Sequence, residues 1–404
     1  MPGPLTGVRV VDLTSMVSGP LATMTLADQG ADVIKVEAPG GGDHARKVAT
    51  RRGGFSASFL NNNRNKRSIV IDIKKSEGLN ALRTLIKGAD VLVQNFRPGV
   101  AERIGVGEED LRTLAPALIY VSIAGFGFEG PYADKPVFDP LVQALSGLTT
   151  VQAGSDEERP RLVRTILPDK LTGVQTAQAI AAALYSRERT GQGQHVRISM
   201  LDTIVSFLWS SDMGGHTFIG EELQEETAQS FIDLIYETAD GFVSIAVMQD
   251  KEWAALARAL ERPDFLEDPR FRSAELRDLH KDERLAITQE AVGHFTNAEL
   301  LERLEREDVP CAPVLKRREM RGHPQVVAND ILMESNHHLA GPLRQARPPA
   351  RFSDTESELR FGAPAYGEHT RQILEESGFS AQEIENLFAQ GAIWQADLKE
   401  NAAE

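Results

Sequence analysis

The amino-acid sequence predicts an α/β protein with a parallel sheet, a sizeable core and more than one domain. Short β-branched runs alternate with helical patterns through the first half of the 404 residues. Hydrophobic residues make up 41% and charged residues 25%, which is the composition of a globular protein with a sizeable core. At the usual domain size, this length predicts two domains or three.

The opening segment predicts a β–α–β unit. Residues 8–13 (VRVVDL) are a short β-branched run, and the sequence SGP from Ser18 has the form of a helix start, with proline in the first turn. The helical spacing ends at Gly30, which suits the position after a helix, and residues 31–37 (ADVIKVE) return to a strand. Two parallel strands joined by a helix require a right-handed crossover and a sheet covered on both faces.

The same alternation continues along the chain. The next predicted elements are strands at 68–73, 89–96 and 118–126, a helix at 78–88, a long helix at 169–191, a strand from 193 and a helix at 201–209. Alanine and other small residues on every face of the long helix predict that it is buried at a subunit or domain contact.

A change of composition after residue 211 predicts an inserted domain. The predicted parts are the first part of a large domain at 1–211, a polar linker at 212–230, a small domain at 231–322, and a return to the large domain at 323–404. Residues 323–366 are rich in Pro, Gly and Arg and are predicted to be extended rather than part of a core. Two short helices follow, split at Gly378, with Ser380 capping the second.

Charge and cysteine usage narrow the class of protein. The net charge of −15 argues against a nucleic-acid partner, and an anionic ligand would need cations gathered locally. The single cysteine, Cys311, allows neither an intrachain disulfide nor a cysteine-based zinc site. It predicts a cytoplasmic protein, as does an N-terminus without the pattern of a secretory signal. No apolar run approaches the ~20 residues of a membrane helix, so no membrane partner is expected.

Three common site types lack their motifs. The opening unit ends in an acid, Glu37, as dinucleotide-binding units do, but its turn is not GxGxxG and Pro20 removes an N–H that a pyrophosphate would use. An NAD-dependent oxidoreductase is therefore a minor alternative. His337 and His338 are adjacent, and HExxH and CxxC are missing, so no metal site is predicted. A GxSxG nucleophile elbow is missing too.

Basic residues cluster around two predicted strands. The strand at 68–73 is flanked by Arg64, Lys66 and Arg67 before it and by Lys74 and Lys75 after it. The strand at 89–96 ends in Asn95, Phe96 and Arg97. Ligands of open α/β sheets bind at the carboxyl ends of strands, so Lys74 and Arg97 are predicted to meet phosphate. Each could instead be a solvated surface charge.

Two aspartates are candidates for chemistry. Asp169 opens the long helix after Pro168, where an aspartate usually caps the helix. The same position stabilises an ionised carboxylate, which could act as a covalent nucleophile toward an activated acyl group. Asp139 stands in a loop rich in Gly and Pro and, alone, reads as a turn residue.

Long strings of the sequence carry a family resemblance. In chain order they are LTGVRVVDLT, SGPLATMTLADQGADVIKVEAPGGGD, NRNKRSIVIDIK, ADVLVQNFRPGV, GPYADKPVFDPLVQALSG, PDKLTG, RTGQGQHVRISMLD, DVPCAPVL and GEHTRQIL. These strings span nearly the whole chain. Through them the sequence resembles the class III CoA-transferases, the family of formyl-CoA transferase, carnitine CoA-transferase and the α-methylacyl-CoA racemases.

The resemblance implies a fold, substrates and site residues. The fold would be a Rossmann-like large domain with a smaller inserted α/β domain, in a homodimer of interlocked rings. The substrates would be an acyl-CoA thioester and a small carboxylic acid, with no prosthetic group. Asp169 would be the nucleophile, with Val17 and Ser18 beside the thioester and Asp139 in support. The residues expected to hold CoA are Ile71, Lys74, Asn95, Phe96, Arg97 and Arg103.

Departures from the family pattern bear on the reaction. Formyl-CoA transferases have arginine and glutamine where this chain has Ala38 and Val17, and a glycine-rich lid loop that this chain lacks, so formyl and oxalyl groups are not expected as substrates. The racemases have a His-Asp pair where this chain has Phe138 and Asp139. A CoA-transferase is therefore favoured. A 2-methylacyl-CoA racemase and a non-catalytic CoA-binding protein are the alternatives.

Overall fold

The structure, a computed structural model, describes residues 3–48, 50–220 and 233–396. The chain forms two compact units, Met1–Gln229 with Ile331–Glu404, and Ser230–Asp330. Most of the linker predicted at 212–230 lies outside the described residues.

The strands are short. In chain order they are β1 (Arg9–Asp12), β2 (Asp32–Glu37), β3 (Arg51–Arg52), β4 (Phe55–Ser56), β5 (Lys66–Ile71), β6 (Val91–Gln94), β7 (Ile119–Ala124), β8 (His195–Ser199), β9 (Ile235–Glu237), β10 (Phe242–Ile245), β11 (Cys311–Pro313), β12 (Leu332–His337), β13 (Gly341–Ala346) and β14 (Ile393–Trp394).

Most helices are short as well. The α-helices of the first unit's N-terminal part are α1 (Ser18–Asp28), α2 (Ala57–Asn63), α3 (Ser76–Lys87), α4 (Val100–Arg103), α5 (Glu108–Leu114), α6 (Asp139–Leu145), α7 (Leu148–Ala153), α8 (Leu167–Thr190) and α9 (Met200–Trp209). Those of the second unit are α10 (Asp250–Ala259), α11 (Asp264–Glu267), α12 (Ala274–Leu279), α13 (Lys281–Val292), α14 (Asn297–Arg306), α15 (Arg317–Met320) and α16 (Pro324–Ala328), and the first unit ends with α17 (Thr370–Glu376) and α18 (Ala381–Ala389).

A parallel sheet organises the first unit. Among the described residues, seven strands pair in the order β14-β5-β2-β1-β6-β7-β8, all parallel except the edge strand β14. The predicted α/β class is confirmed. The strand predicted at 68–73 begins instead at Lys66, because the ladder with β2 starts at the pair Val33–Lys66.

Both faces of this sheet are covered by apolar clusters. One contains Val11, Ile69 and Leu82, and the other contains Val10, Val121 and Ile180. Alternate residues of one strand therefore enter opposite cores, as expected for a parallel sheet. The long helix α8 buries one face, including Thr176. Its other face, with Val174 57% exposed, is not covered within the protomer, so burial of this face at a subunit contact stays a prediction.

The return segment is less extended than predicted. Strands β12 and β13 form an antiparallel hairpin, and Ala340 and Ala363 join an apolar cluster with Phe55 and Phe59. Extended chain was predicted because Pro and Gly are frequent there, but small residues fit closely around two aromatic rings. Residues 324–328, predicted to belong to this extended segment, form helix α16 in the second unit.

The second unit has a core of its own. Strands β9, β10 and β11 form an antiparallel sheet, and Trp253 stacks on Phe265 with the ring centroids 5.2 Å apart. In neither unit does a helix among the described residues have the length and apolar character needed to cross a membrane.

Candidate active site

The loops that follow β1 and β6 meet at Ser15. These two strands are neighbours, but the chain leaves β1 toward β2 on one side and β6 toward β7 on the other, so a crevice opens between their loops. The side-chain amide of Asn95, directly after β6, accepts a hydrogen bond from the Ser15 N–H (3.0 Å) and donates one to its carbonyl (2.9 Å). Asn95 therefore fixes the loop that leads into α1.

The loop from Thr14 to Val17 is strained. Met16 has a φ of 71°, the left-handed region that non-glycine residues seldom adopt. Its N–H donates to Oδ1 of Asp43 (3.0 Å), and the ammonium group of Lys35 donates to the Thr14 carbonyl (2.9 Å). Such a conformation persists only where the surroundings enforce it, which is common at functional sites.

Buried ion pairs support this loop. They are Lys66–Asp12 (3.0 Å), Lys35–Asp43 (2.9 Å) and Arg46–Glu37 (2.7 Å). Burial by itself raises the pKa of Asp12, but the charges of Lys66 and Lys35 outweigh it and hold the pKa well below its usual range. The Lys66 ammonium also donates to the carbonyl of Pro20 (2.9 Å), which ties the first turn of α1 to the network.

Asp169 lies in the first turn of α8 but does not cap it. The capping position is Ile166, which makes no side-chain cap hydrogen bond, so the simple capping role for Asp169 is wrong. The carboxylate instead faces the hydroxyl and the backbone N–H of Ser18, the first residue of α1. Two helix N-termini therefore meet at one carboxylate, and both favour its charged form.

Gly173 allows this meeting. A Cβ at Gly173 would lie 2.8 Å from the Ser18 carbonyl oxygen and 3.1 Å from Leu21, closer than ordinary contacts. Any side chain there would push α1 away from α8 and separate Ser18 from Asp169.

The pKa of the Asp169 carboxyl group is shifted toward neutral pH. Burial, with the negative charge of Asp139, raises its pKa to about 6, while hydrogen bonding from Ser18 opposes the rise. The sequence predicted an ionised carboxylate at a helix start. With this pKa the side chain is about nine-tenths ionised at pH 7. A helix N-terminus alone would lower the pKa, so burial and the charge of Asp139 outweigh it here.

Asp139 is a buried supporting residue rather than a turn residue. It is the first residue of α6, and Oδ2 accepts a hydrogen bond from the backbone N–H of Asp169 (3.2 Å). Its Oδ1 accepts from the Gln143 amide (2.7 Å), which also holds the segment before α8 through the N–H of Val163. Asp139 thus joins the first turns of α6 and α8. The preceding Phe138 is 69% exposed.

The residues predicted to hold CoA are in different environments. Ile71 is buried in the core, the Asn95 amide is engaged by Ser15, and Phe96 is half-buried. The cationic members are exposed, and they are Lys74, Arg97 and Arg103. Strands β5 and β6 are three spacings apart, roughly 14 Å, so a ligand meets both Lys74 and Arg97 only by lying along the sheet edge.

The basic residues around the start of β5 have internal partners. Arg64 pairs with Asp28 (2.7 Å), Lys66 with Asp12, and Arg67 with Asp32 (2.7 Å). They stabilise the fold and are not free for a ligand.

Sequence reasoning missed Lys35 and Asp43. A usable signal was a lysine between Ile34 and Val36 in a strand buried on both faces, because a charge there must be paired.

Glu37 is not available to a dinucleotide ribose. Its Oε1 accepts from the Asp43 N–H (3.0 Å) and from Arg46, and its Oε2 accepts from Arg46 and from the Ser68 hydroxyl (2.7 Å). This arrangement disfavours NAD binding. Within the described ranges, no three His, Cys, Asp or Glu side chains are grouped to hold a metal ion.

Comparisons with known proteins agree with the sequence resemblance. The family model for CoA-transferase family III matches residues 5–370. The chain is 32% identical to the succinyl-CoA:glutarate CoA-transferase of Mus musculus, over 98% of this chain and 92% of the relative. It is 34% identical to an acyl-CoA transferase of Fusarium pseudograminearum, over 97% of this chain and 88% of the relative.

A solved structure agrees as well. The crystal structure of a CAIB/BAIF family protein from Brucella suis is similar with a TM-score of 0.81 and 30% identity, covering 93% of this chain and all of that one.

Proposed function

The chain belongs to CoA-transferase family III and is an enzyme that moves CoA between acyl-CoA and carboxylate, and we propose that Asp169 carries the transfer covalently. The observation that carries the proposal is its carboxylate, half-buried, without a capping role in its own helix, and faced by the first residue of α1. Burial and two helix N-termini suit a nucleophile that must be ionised yet reactive.

The proposed reaction passes through two covalent intermediates on Asp169, a mixed anhydride and an aspartyl-CoA thioester. The Asp169 carboxylate attacks the thioester carbonyl, the C–S bond breaks, and a mixed anhydride forms as CoA thiolate leaves. The thiolate then attacks the aspartyl carbonyl, which gives an aspartyl-CoA thioester and releases the donor acid. The acceptor carboxylate attacks this thioester and releases thiolate again, and attack of the thiolate on the acceptor's acyl carbonyl yields the new acyl-CoA and free Asp169.

The surrounding groups suit these steps. Ser18 and the first turns of α1 and α8 supply N–H and hydroxyl donors near the oxygens where negative charge develops. Asp139 holds the backbone of Asp169 in place and keeps its pKa near the working range. Partial burial of the Asp169 carboxyl group should slow hydrolysis of the anhydride.

Trapping tests the covalent role. With acyl-CoA present, hydroxylamine should leave a hydroxamate on Asp169, and borohydride should reduce its thioester to an alcohol. Peptide mapping should find both mass changes on Asp169, and Asp169→Asn provides the control. A label on Asp139, or no label during turnover, would overturn the proposal. The assay panel begins with succinate and glutarate, which the mouse relative's name suggests, and includes oxalate.

Racemisation is disfavoured by Phe138. A racemase needs a base on each face of the α-carbon, and a phenyl ring cannot accept a proton. Incubation of a 2-methylacyl-CoA in deuterated water should show little α-deuterium uptake. Rapid uptake without an acceptor acid would favour the racemase.

CoA is proposed to lie along the carboxyl edge of the sheet. Charge-assisted phosphate contacts are typically worth ~1.5–3 kcal/mol, so Arg97→Ala or Lys74→Ala should raise the KM for acyl-CoA roughly tenfold, with less effect on the acid. Arg103, Asn95, Phe96 and Ile71 complete the proposed set. Lys87→Ala, an exposed cation at the end of α3, is the control. Parental CoA affinity in both variants would place the nucleotide elsewhere.

A homodimer with interlocked protomers is proposed as the assembly. Its support is the uncovered apolar side of α8 and α9, where Val174, Tyr185, Phe207 and Trp209 are each at least 48% exposed. Light scattering at micromolar protein should give twice the chain mass.

The large domain (1–211 and 323–404) is proposed to be Rossmann-like, because its parallel strands follow the order β5-β2-β1-β6-β7-β8.

A further inference from the structure

The loop that connects β1 to α1 is held at three consecutive residues. Side chains from β2, from the loop after β2 and from the loop after β6 bond its backbone, and they are Lys35, Asp43 and Asn95. The residues that they hold are Thr14, Met16 and Ser15. So many constraints on a short connection indicate that its path matters to the site that follows it.

Asp43 holds the strained residue of this loop. A φ of 71° at Met16 is unfavourable for a residue with a side chain, so its surroundings must compensate for it. Oδ1 of Asp43 accepts the N–H of Met16 (3.0 Å) and that of Ala45 (2.9 Å), and Oδ2 is paired with the Lys35 ammonium (2.9 Å). The Asp43 N–H donates to Glu37 (3.0 Å). The carboxylate is therefore fixed through both of its oxygens.

The ion pair of Lys35 and Asp43 is deeply buried, with the two side chains 0% and 1% exposed. Because the cost of taking two charges out of water largely cancels their attraction, a buried ion pair adds little net stability. Lys35 also donates to the Thr14 carbonyl (2.9 Å), so the pair bonds the loop on both sides of Ser15. The pair is therefore better suited to fixing the path of the loop than to stabilising the fold.

The path of the loop decides how α1 begins. A Cβ on Gly19 would lie 2.3 Å from the Cβ of Thr14, so the loop folds back closely against the first turn of α1. Val17, which precedes the helix, makes no side-chain cap hydrogen bond. The first N–H groups of α1, including that of Ser18, therefore take their direction from the loop.

We propose that Asp43 is a positioning residue for Asp169 and that it acts through Met16 and Ser18. By holding Met16 in the left-handed conformation, Asp43 directs the N–H and the hydroxyl of Ser18 toward the Asp169 carboxylate. The proposal rests on the proposed covalent role of Asp169. It adds a residue that acts on the nucleophile through the backbone of another loop residue.

Kinetics test the route through Met16. Because the donors of Ser18 act on charge that develops during the reaction, Asp43→Ala should lower kcat and kcat/KM together, at least about tenfold. Asp43→Ala combined with Met16→Gly should recover at least about threefold in kcat, since glycine adopts a φ of 71° without strain. A general loss of stability would not be recovered in this way. No recovery in a folded double variant would contradict the route through Met16.

The titration of Asp169 reports the same displacement without the use of catalysis. Hydrogen bonding from Ser18 lowers the pKa of Asp169, so Asp43→Ala should raise this pKa, as Ser18→Ala does. Difference infrared spectroscopy follows the carboxyl group, whose band is identified by its loss in Asp169→Asn. The ionised fraction at pH 6 should fall roughly twofold. Asp43→Ala with Ser18→Ala should shift the pKa by less than the sum of the two single shifts, because both act on the same hydrogen bonds.

Asp28→Ala is the matched control. Asp28 is also a buried aspartate of the first unit and is paired with Arg64 (2.7 Å), but it is the last residue of α1, at the opposite end from Ser18. This variant should lower the melting temperature and leave the titration of Asp169 unchanged. A shift equal to that of Asp43→Ala would assign the effect to lost stability and overturn the proposal.

A second variant avoids the buried charges. If Asp43→Ala fails to fold, Met16→Val replaces it, because Met16 is 36% exposed and a β-branched side chain disfavours the left-handed conformation further. The same rise in the pKa of Asp169 is expected. Parental titration of Asp169 in a folded variant overturns the proposal. A raised pKa in an enzyme that fails the trapping test would support the positioning role and contradict the covalent mechanism.

Discussion

Two aspartates, the buried Asp12 and the half-buried Asp169, show how neighbouring groups decide what a carboxyl group does. Burial alone raises the pKa of both. Around Asp12, Lys66 and Lys35 outweigh burial and keep the group ionised. Around Asp169, the neighbouring charge is that of Asp139, and the pKa rises to about 6.

The two groups also affect stability in opposite ways. Asp12 has a lowered pKa, so its contribution is present above pH 4 and is lost as the pH falls and the carboxylate takes up a proton. Asp169 has a raised pKa, so its contribution is present below pH 4 and is lost as the pH rises through about 6. Asp12 stabilises the fold at neutral pH, whereas Asp169 is held in a form that costs stability and serves chemistry.

Removing the poised carboxylate should have the largest effect. Asp169→Ala should reduce turnover by at least about a thousandfold, a barrier increase of ~4 kcal/mol, while the protein stays folded. Steady-state kinetics and circular dichroism check both parts. Asp156→Ala, an exposed acid, should keep parental activity. Substantial turnover in Asp169→Ala would reduce Asp169 to a structural residue.

Breaking the buried pair should act on stability. Lys66→Met leaves Asp12 buried without its nearest cation and should destabilise the protein by about 3 kcal/mol. The midpoint of urea unfolding measures the loss. The double variant Asp12→Asn with Lys66→Met should recover much of it, because no unpaired charge remains. Equal midpoints for parent and Lys66→Met would show that the pair contributes little.

Closing the gap between α1 and α8 should disturb the poised site. Gly173→Ala places a methyl group against the Ser18 carbonyl, and overpacking of this kind costs about 1–3 kcal/mol. We expect lower turnover together with a lower melting temperature. Ala298→Ser, on an exposed position of α14 in the second unit, should change neither. Unaltered turnover in Gly173→Ala would show that Ser18 need not be close to Asp169.

Changing the neighbours of Asp169 should move its titration in opposite directions. Ser18→Ala removes hydrogen bonding to the charged form, so the pKa rises and the acidic limb of kcat/KM moves to higher pH. Asp139→Asn removes a negative charge, so the limb moves to lower pH. At pH 6 the rate should fall by roughly threefold in Ser18→Ala, whereas it can rise by at most about twofold in Asp139→Asn, because about half of Asp169 is already ionised in the parent at that pH. Shifts in the same direction would contradict the assigned causes.

Local pattern was enough for much of the fold. The first strand, the helix from Ser18, the stop at Gly30 and the Ser380 cap all follow from short-range preferences that the structure retains. The weakest prediction was the return segment, because its small residues pack against Phe55 and Phe59, far away in the sequence.

The sequence by itself determined the α/β class, the family and Asp169 as the candidate nucleophile, since these depend on periodicity and on ordered motifs. Only the tertiary structure decided which charges are free. Lys66 and Lys74 lie on either side of the strand predicted at 68–73 and look alike in the sequence, yet the first is buried against Asp12 and the second is exposed. Electrostatic environment depends on what the fold brings within a few ångströms, and neighbours in the chain do not fix it.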